Sequence, residues 1–551
     1  MHLKINTIKS KNGTYKYAKL VESYWDHNKN YSRQKIILNF GRLNSDEDLK
    51  KCQRILQQHR QGNEFVKLND LHITSSKSYG VFHITKILFK KYGITKILKK
   101  ELSSTKHKCN IFDIIQALIV NRLENPLSKN KAFDYIKQDY PFEIDCKKDD
   151  LYSAMDVLQN KKETIEFQLF ETLRSKLNLN LSKAHYDITS SYFEGHKCAI
   201  AMYGYSRDHR RDRKQIVIGL VLVDNIPTYH EVFEGNTQDK TTVTDVVDKL
   251  RNKFGLKTTT IIGDRGMLTE ANIQNLESKN QDYILGFSKD GNKITEEILQ
   301  MDIPIKESKS DNAKITKSEK ITFKSEDKKE ITSTRGYVLC IDKNTKKEQL
   351  ETLDDVREFI ENELTNLRKN YLISQNNKSK NKQSYENLVP KVKKVIRRNK
   401  KLFDITWKEK KPEGFEFKLN NSWYERERKA AGKFVIITNK KVTNACNILK
   451  SYKELNTVES SFNCVKNQLG IRPINHYKEL RVKAHVFICI LSLLIEKIME
   501  RQLKDMTAQN AIDELKRIKV CNVETSSSMK RILTKISLKQ KEVLKKLNIK
   551  I

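Results

Sequence analysis

Two aspartates lie on predicted strands in the middle of the sequence, one within its strand and one at a strand end. Asp187 lies in YDITSSYFEG, and Asp264 closes the apolar run TTTIIGD. Ligand sites of open α/β sheets form at the ends of strands, so these carboxylates are able to meet although they lie far apart in the sequence. Close carboxylates repel each other unless a cation lies between them, and Mg²⁺ prefers such oxygen ligands. The alternative for each aspartate is an ordinary turn or capping residue.

A third carboxylate is predicted on a late helix, YKELNTVESSFNCVKNQLG. Tyr452, Glu459 and Lys466 follow one another at intervals of seven residues. Seven residues are about two helical turns, which predicts that the three side chains share one face of the helix. A phenol, a carboxylate and an ammonium group in line suit a phosphate backbone held beside a metal ion. A solvated polar face is the alternative.

A dense cationic stretch, GYSRDHRRDRK, lies between the two aspartates. Its arginines are predicted to contact a DNA backbone, and they are Arg207, Arg210, Arg211 and Arg213. The alternative is a charged hairpin tip that Asp208 and Asp212 neutralise. Trp423 and Trp407 are candidates for stacking on a flipped base, and a core or surface anchor is the alternative for each. His485, in AHVFICIL, is predicted to be a core histidine with satisfied hydrogen bonds.

Composition indicates the class of partner. The 551 residues carry a formal net charge of +36, which favours a polyanionic partner, most often nucleic acid. The competing reading is a lysine excess typical of AT-rich genomes. The nine cysteines include no C-x-x-C pair, which argues against zinc fingers and a disulfide framework and favours a reducing compartment.

Changes in pattern along the chain predict four regions. Alternating residues in the first region predict a small β-meander, and apolar residues at helical spacing predict a helical second region with basic faces. The third region begins with strands and continues with alternating strands and helices, which indicates a mixed α/β sheet covered by helices. The regions are 1–45, 46–180, 181–502 and the basic, weakly helical tail 503–551.

Two stretches within the third region differ from their surroundings. Residues 288–430 are rich in lysine and less regular, and they interrupt the sheet pattern. AHVFICILSLLI, at 484–495, is the longest apolar stretch, but it has about half the length that a membrane span needs. It predicts a buried helix and no membrane partner.

The motifs together resemble a known family. YDITSSYFEG, IIGDRGM and the Tyr-x6-Glu-x6-Lys pattern are similar to the DDE transposases of bacterial insertion sequences, above all the insertion-sequence-4 type with its Tyr-x2-Arg-x3-Glu-x6-Lys signature. The resemblance covers about 180 to 500 and extends more weakly to the N-terminus. One position departs from it: Leu455 stands where the signature has arginine, so another basic residue replaces that arginine or activity is impaired.

The resemblance implies roles for individual residues. Asp187, Asp264 and Glu459 match the catalytic, metal-binding acids, and Tyr452 and Lys466 match DNA-contacting residues. Arg265, directly after the second acid, is a further candidate DNA contact, as is Trp423. The implied cofactor is Mg²⁺, as two ions, with Mn²⁺ as a substitute.

The resemblance also implies a fold and an activity. The expected α/β fold is a ribonuclease-H-like catalytic core at 181–502 with a mainly β insertion at 288–430, preceded by the β-meander and a helical region that binds transposon ends. The expected reaction is cleavage at terminal inverted repeats followed by strand transfer into target DNA, by a dimer in the synaptic complex. The expected location is the bacterial cytoplasm, at the nucleoid. A metal-dependent nuclease without joining and a non-catalytic DNA-binding protein are the alternatives.

Overall fold

The structure is a computed structural model that describes most of the chain. It covers residues 1–10, 13–27, 29–60, 71–103, 109–287, 293–303, 311–324, 330–376, 383–441, 444–524 and 529–551. These residues divide into two compact units, Met1–Lys77 with Val520–Thr534, and Ser78–Lys519 with Lys535–Ile551. The first predicted turns, at 11–13 and 26–30, lie partly outside the described residues.

The strands are numbered in chain order. They are β1 (His2–Ser10), β2 (Gly13–Asp26), β3 (Tyr31–Leu43), β4 (His72–Ser78), β5 (Lys183–Tyr192), β6 (Gln215–Val223), β7 (Ile226–Glu234), β8 (Thr260–Gly263), β9 (Tyr283–Phe287), β10 (Asp311–Lys324), β11 (Glu330–Asp342), β12 (Phe403–Lys408), β13 (Gly414–Leu419), β14 (Lys433–Thr438), β15 (Lys519–Glu524) and β16 (Met529–Leu533).

The helices are numbered in the same way. They are α1 (Asp46–Arg60), α2 (Gly80–Lys91), α3 (Ile94–Glu101), α4 (Ile111–Glu124), α5 (Lys129–Gln138), α6 (Lys148–Asn160), α7 (Lys162–Leu177), α8 (Asp239–Asn252), α9 (Glu270–Ser278), α10 (Lys293–Leu299), α11 (Lys343–Asn376), α12 (Tyr385–Val395), α13 (Asn421–Ala430), α14 (Ala445–Lys453), α15 (Asn456–Asn463), α16 (Glu479–Glu500), α17 (Ala508–Leu515) and α18 (Leu538–Lys546).

The first unit contains two small sheets. Strands β1, β2 and β3 form an antiparallel meander in chain order. The second sheet has the order β16-β15-β4, so a strand from the region predicted to be helical pairs with strands from the region predicted to be a weakly helical tail. Asn522 Nδ2 donates a hydrogen bond to Ser75 Oγ at 2.9 Å across this pair. Local patterns do not show such pairing, because the partners lie at opposite ends of the sequence.

The second unit is built on an eight-stranded sheet with the order β10-β11-β14-β9-β8-β5-β6-β7. Strand β5 pairs antiparallel with β6 and parallel with β8, and β8 pairs parallel with β9. The chain is therefore a mixed α/β protein. The register pairs His185 with Ile262, so the carboxyl end of the short strand β8 lies beside the middle of β5.

Alternation along β6 explains how both faces of the sheet are covered. Ile216, Ile218 and Leu220 pack into the core formed with the helices of the N-terminal half and α16, whereas Val217 and Val221 pack into the core on the opposite face. The predicted buried helix is confirmed, because residues 484–499 of α16 are all buried. Within the described residues, no helix combines the length and the apolar character that crossing a bilayer demands.

The expectation of a mainly β insertion at 288–430 is wrong. Strands β10 and β11 extend the main sheet, but the insertion also contains α12, α13 and the 34-residue helix α11. Ile360, Leu364 and Tyr371 are the buried residues of α11 and belong to a separate hydrophobic core. A long helix that buries so few side chains carries no continuous apolar stripe, so its lysine-rich sequence does not display the usual helical pattern.

Candidate active site

Asp187 lies at the centre of β5, inside the sheet, with a half-buried side chain. Burial raises the pKa of Asp187 to about 7, and the negative charges of Asp264 and Glu459 raise this pKa further. A hydrogen bond with the Ile188 backbone and the positive charge of Arg207 oppose the increase. The first predicted acid therefore lies within the electrostatic reach of the other two.

Asp264 follows the last residue of β8 and precedes a short 3₁₀ turn, Arg265–Met267. The alternative role as a cap is not what the geometry shows, because the Asp264 side chain makes no capping hydrogen bond to this turn. Its Oδ1 instead accepts a hydrogen bond from the Tyr452 hydroxyl at 3.3 Å. The carboxylate is exposed at the edge of the sheet where the strand ends.

Glu459 lies on α15, and the segment around it differs from the uninterrupted helix that the spacing predicts. The helix α14 ends at Lys453, and bonds from Leu455 N to Tyr452 O (3.0 Å) and from Val458 N to Leu455 O (2.9 Å) tighten the turn before α15. The backbone is then π-helical from Cys464 to Gln468. The prediction that Tyr452, Glu459 and Lys466 share a face of one regular helix is therefore wrong, since tight and wide turns replace the regular repeat.

Asp187, Asp264 and Glu459 nevertheless line a single cavity of about 340 Å³. They come from a central strand, a strand end and a helix of the second unit. Among the described residues, none of the three carboxylates forms an ion pair with an arginine or lysine. The cavity therefore presents negative charge that a bound cation would neutralise.

The carboxylate oxygens suit a hard divalent cation, but the side chains do not converge as a preformed metal site. Within the described ranges, no three acidic, histidine or cysteine side chains are close enough to hold a metal ion. Repulsion between uncompensated carboxylates favours such separation, and it is also a cause of the raised pKa of Asp187. The donor chemistry fits Mg²⁺, and closing the site around it requires the side chains to move together.

A fourth acid, which the sequence analysis missed, lines the same cavity. Asp239 is the first residue of α8 and forms an ion pair with Arg207. The Arg207 backbone N–H also donates a hydrogen bond to Ser190 Oγ at 2.9 Å, which ties the cationic stretch to β5. The stretch GNTQDKTTV offered a weak signal, because an acid in the first turn of a helix is common for helix-capping reasons alone.

The other arginines of the cationic stretch have varied environments. Arg210 forms an ion pair with Asp212 at 2.8 Å, and Arg213 pairs with Glu194 at 3.2 Å. Arg211 is exposed and makes no ion pair with the part of the chain that the structure describes. Asp212 therefore neutralises part of the stretch, as the alternative reading expected, and leaves Arg211 available.

Asp208 does not neutralise the arginines next to it. Its Oδ1 accepts hydrogen bonds from Lys466 Nζ at 2.7 Å and from Arg472 NH1 at 2.5 Å, and its side chain is 2% exposed. Lys466, predicted to contact DNA, thus lines the acidic cavity while it is ion-paired with a buried aspartate. A phosphate contact from Lys466 would have to compete with Asp208.

Tyr452 and Arg265 line a neighbouring cavity of about 570 Å³, which shares Asp264 and Glu459 with the first. Burial raises the pKa of the Tyr452 hydroxyl, and the Asp264 carboxylate raises it further, so the phenol is a hydrogen-bond donor. Arg265 is exposed and forms no ion pair with the described residues. Both predicted DNA contacts therefore border a cavity that contains two of the three acids.

Leu455, which stands where the signature has arginine, is 4% exposed and belongs to the main hydrophobic core. A guanidinium group on that backbone position would lie among apolar side chains. Leu455 also borders the adjacent cavity, where the basic residues Arg265 and Lys453 are among the other lining residues.

The two candidate tryptophans lie in the insertion, away from the acids. Trp423 is on α13 and packs against the insertion's own core, as the anchor alternative expected. Trp407, on β12, is 38% exposed, and its ring centroid lies 6.2 Å from that of Phe415. Neither lines the acidic cavity.

Comparisons with known proteins agree with these motifs. Residues 3–67 match the model of the IS1634 family transposase, N-terminal domain, and residues 186–495 match that of the transposase DDE domain. A search of curated proteins finds no match. A solved structure of the piggyBac transposase synaptic complex with hairpin DNA is 11% identical over 80% of this chain and 88% of that chain, with a TM-score of 0.24, which is too low to support an argument. Neither family model names the insertion-sequence-4 type, which stays a prediction.

Proposed function

The chain belongs to the transposase DDE domain family, and from this premise we propose that it binds the ends of an insertion sequence and catalyses cut-and-paste transposition. The observation that carries the proposal is the shared cavity lined by Asp187, Asp264 and Glu459. The net charge of +36 supports DNA as the partner, because a polyanion offsets the repulsion among so many cations.

We assign the catalytic core to a ribonuclease-H-like arrangement formed by strands β5 to β9 and helix α15. In this arrangement the first acid is on a central strand, the second follows an adjacent parallel strand, and the third is on a helix. The meander at 1–45 and the helices of 46–180 are proposed to recognise the terminal inverted repeats. A dimer would supply one active site for each end in a synaptic complex.

The proposed cofactor is Mg²⁺, as two ions held by Asp187, Asp264 and Glu459, with Mn²⁺ as a substitute. Bound there, the ions would activate the attacking oxygen and stabilise the leaving oxygen of a phosphodiester. Asp187 retains a proton at neutral pH to a greater degree than an ordinary aspartate, so cation binding should release that proton. The Tyr452 hydroxyl holds Asp264 in position.

The cationic groups around the cavity are proposed to hold the DNA backbone. Arg211 and Arg265 are exposed and therefore accessible to phosphates, whereas Arg207, Arg210, Arg213 and Lys466 would exchange carboxylate partners for phosphate. Trp423 would stack on a base only if its half-buried indole left the insertion core.

The test uses the full-length protein, Mg²⁺ and a DNA fragment that carries the element's own ends. We expect end-specific nicks followed by joined products, and we expect Asp187→Asn, Asp264→Asn and Glu459→Gln each to reduce cleavage by at least about a hundredfold. The matched control is Asp245→Asn, which alters an exposed acid on α8 that does not line the cavity.

DNA binding by each variant, measured without metal, should stay close to that of the unaltered protein. Near-normal cleavage by any of the three cavity variants would show that its carboxylate has been assigned wrongly. Nicks without joined products would favour the alternative function, a metal-dependent nuclease that does not join strands. Mg²⁺ titration by calorimetry provides an independent readout, because the variants should lose metal affinity whether or not DNA is present.

A further inference from the structure

A second cavity of the same unit, separate from the acids, is lined by arginine, lysine and histidine side chains. It measures about 280 Å³ and lies between the start of α5 and the loop that precedes α16. Its basic lining residues are Arg122, Lys129, Arg472, His476 and His485. No aspartate or glutamate lines it in the described part of the chain. Arg472 is paired with Asp208, and burial lowers the pKa of His476 to about 3 and that of His485 well below its usual value, so the uncompensated positive charge belongs to Arg122 and Lys129. Buried charges without a counter-ion are unfavourable unless an anion binds.

Lys129 is the clearest indication of a missing partner. It is 5% exposed, and its Nζ makes no hydrogen bond or ion pair with the described residues. A buried ammonium group is normally paired, because removing an isolated charge from water is costly. Burial lowers the pKa of Lys129 well below its usual value, and the positive charge of Arg122 lowers it further. A bound anion would compensate this charge.

Arg122 contributes one further donor without a partner, and His485 contributes none. The terminal nitrogens of Arg122 donate hydrogen bonds to the backbone oxygens of Gly470 (3.0 Å) and Leu127 (2.7 Å). Its buried Nε has no hydrogen-bond partner among the described residues. His485 Nε2–H donates to Ile471 O at 3.0 Å, and burial lowers the pKa of this histidine well below its usual value. Its buried Nδ1 is therefore an acceptor without a partner, which adds nothing to anion binding and makes the prediction of a satisfied core histidine only half correct.

The geometry of α5 adds a backbone contribution. This ten-residue helix begins at Lys129, and its capping residue Ser128 and its second residue Asn130 line the cavity. The first turn of a helix directs free N–H groups and the positive end of its dipole outward, which favours an anion. The cavity is also much larger than the volume of about 30 Å³ that one water molecule occupies, so it admits a phosphate group.

The phosphate-sized cavity is connected to the acidic cavity through one shared carboxylate. Arg472 lines the cationic cavity, Lys466 lines the acidic cavity, and both donate to Asp208 Oδ1. A DNA strand held at the acids would therefore pass close to the cationic cavity. The opening is accessible, because Asn130 and Asn475 at its edge are exposed.

We propose that this cavity is a phosphate-binding site that takes one phosphate group of the DNA backbone next to the catalytic acids. The identification of phosphate rests on the cavity itself, and the assignment to DNA rests on the proposed function. Free inorganic phosphate has the same chemistry, so the experiment separates the two sources.

The first measurement is the thermal unfolding of the full-length protein without DNA or divalent metal. Inorganic phosphate should raise the Tm by about 2 °C or more relative to sodium chloride at equal ionic strength. Lys129→Met, which keeps the side-chain length and removes the charge, should abolish this difference. The matched control is Lys131→Met, which removes an exposed charge from the same helix.

The second measurement is the affinity for a DNA fragment that carries the element's ends, at several salt concentrations. Lys129→Met should weaken binding by about tenfold and make the slope of log K against log salt shallower by about 0.9, the value for one phosphate contact. Lys131→Met should leave both unchanged. A phosphate-dependent Tm without any change in DNA affinity or slope would assign the site to free phosphate and overturn the DNA assignment.

A second variant tests the site even if Lys129→Met does not fold. Asn130→Asp adds a negative charge at the exposed edge and retains the acceptor for the Tyr152 hydroxyl, which now lies 3.3 Å from Asn130 Oδ1. This variant should also lose the phosphate effect, and an unchanged effect would overturn the site. Asp187→Asn should keep the phosphate effect, so a failure of the proposed catalysis is distinguishable from a failure of this inference.

Discussion

The Tyr452 hydroxyl donates a hydrogen bond to Asp264 Oδ1 at 3.3 Å and so joins residues that lie 188 positions apart. The bond connects the end of α14 to the end of β8, on either side of the insertion. One residue predicted to contact DNA therefore also positions a proposed catalytic acid.

Removing this hydroxyl should affect cleavage more than folding. Tyr452→Phe loses one hydrogen bond to a charged group, which is worth about 1.5 kcal/mol or more and corresponds to at least about a tenfold loss in cleavage rate. DNA-end cleavage under single-turnover conditions measures the effect. Tyr477→Phe, at a 60% exposed tyrosine, is the control and should have no effect. An unchanged cleavage rate in Tyr452→Phe would show that the bond does not position Asp264.

A buried ion pair should dominate the stability of the junction between α9 and β11. Arg335 NH2 lies 2.8 Å from Glu277 Oε2, and both side chains are almost fully buried. Arg335→Met leaves a buried carboxylate without its partner and should lower the free energy of unfolding by about 3–5 kcal/mol. Chemical denaturation measures this loss.

The double variant Arg335→Met/Glu277→Gln provides the control for that interpretation. It should recover a large part of the lost stability, because no uncompensated charge remains buried. Equal destabilisation in the single and double variants would instead indicate that side-chain packing, and not charge, causes the loss.

Placing arginine at position 455, as in the insertion-sequence-4 signature, should harm this protein. Leu455 is 4% exposed and packs in the main core, although it also borders the neighbouring cavity, so Leu455→Arg replaces a core side chain with a charged one. We expect a loss of at least about 2 kcal/mol in the free energy of unfolding and no gain in cleavage. Leu455→Met, which nearly conserves volume, should cost less than about 1.5 kcal/mol. A stable and more active Leu455→Arg protein would mean that the arginine reaches the neighbouring cavity.

Glu496 should make stability depend on pH. Burial raises the pKa of Glu496 from an ordinary 4.5 to about 7, with a smaller contribution from Glu500, and the Cys464 thiol donates a hydrogen bond to this carboxyl at 2.6 Å. The folded state holds the proton more tightly than the unfolded chain does. Its contribution, on the order of 3 kcal/mol, is therefore fully present below pH 4.5 and is lost as pH rises to about 7.

The comparison that isolates this group is between the unaltered protein and Glu496→Gln. Unfolding by urea at pH 5 and at pH 7.5 should show a smaller decrease in stability for the variant. Glu500→Gln alters a neighbouring, partly exposed acid and should retain most of the decrease. Identical pH dependence in all three proteins would contradict the raised pKa.

The predicted acids illustrate what local sequence is able to reveal. Asp264 was recognisable because an apolar strand run ends on a carboxylate, and Asp187 because it interrupts a β-prone segment. Residue type and strand periodicity are local properties, so the carboxylates and the strands that carry them were predictable. The spacing of Tyr452, Glu459 and Lys466 indicated Glu459 although the regular helix that it assumes is absent. The turn before α15 is tighter than a regular helix and the one after it is wider, and all three side chains still border the cavities that contain Asp264.

The elements that the sequence patterns did not predict depend on contacts far away along the chain or on few buried side chains. The insertion's long helix α11 buries only a few side chains, so its pattern did not differ from that of an irregular lysine-rich segment. Strand β15 exists because it lies between β16 and β4, a partner from the other end of the chain. Neither feature is determined by the residues that immediately surround it.

The sequence by itself determined the acids, the charge balance and the family, because these depend on residue identity and short-range pattern. Only the tertiary structure decided which charges neutralise each other: Asp208 pairs with Lys466 and Arg472, Asp239 pairs with Arg207, and Lys129 is left without a partner among the described residues. Ion pairing depends on distances of a few ångströms between elements that are far apart in the chain. Those distances are set by the packing of the sheet, the helices and their loops, and not by spacing along the sequence.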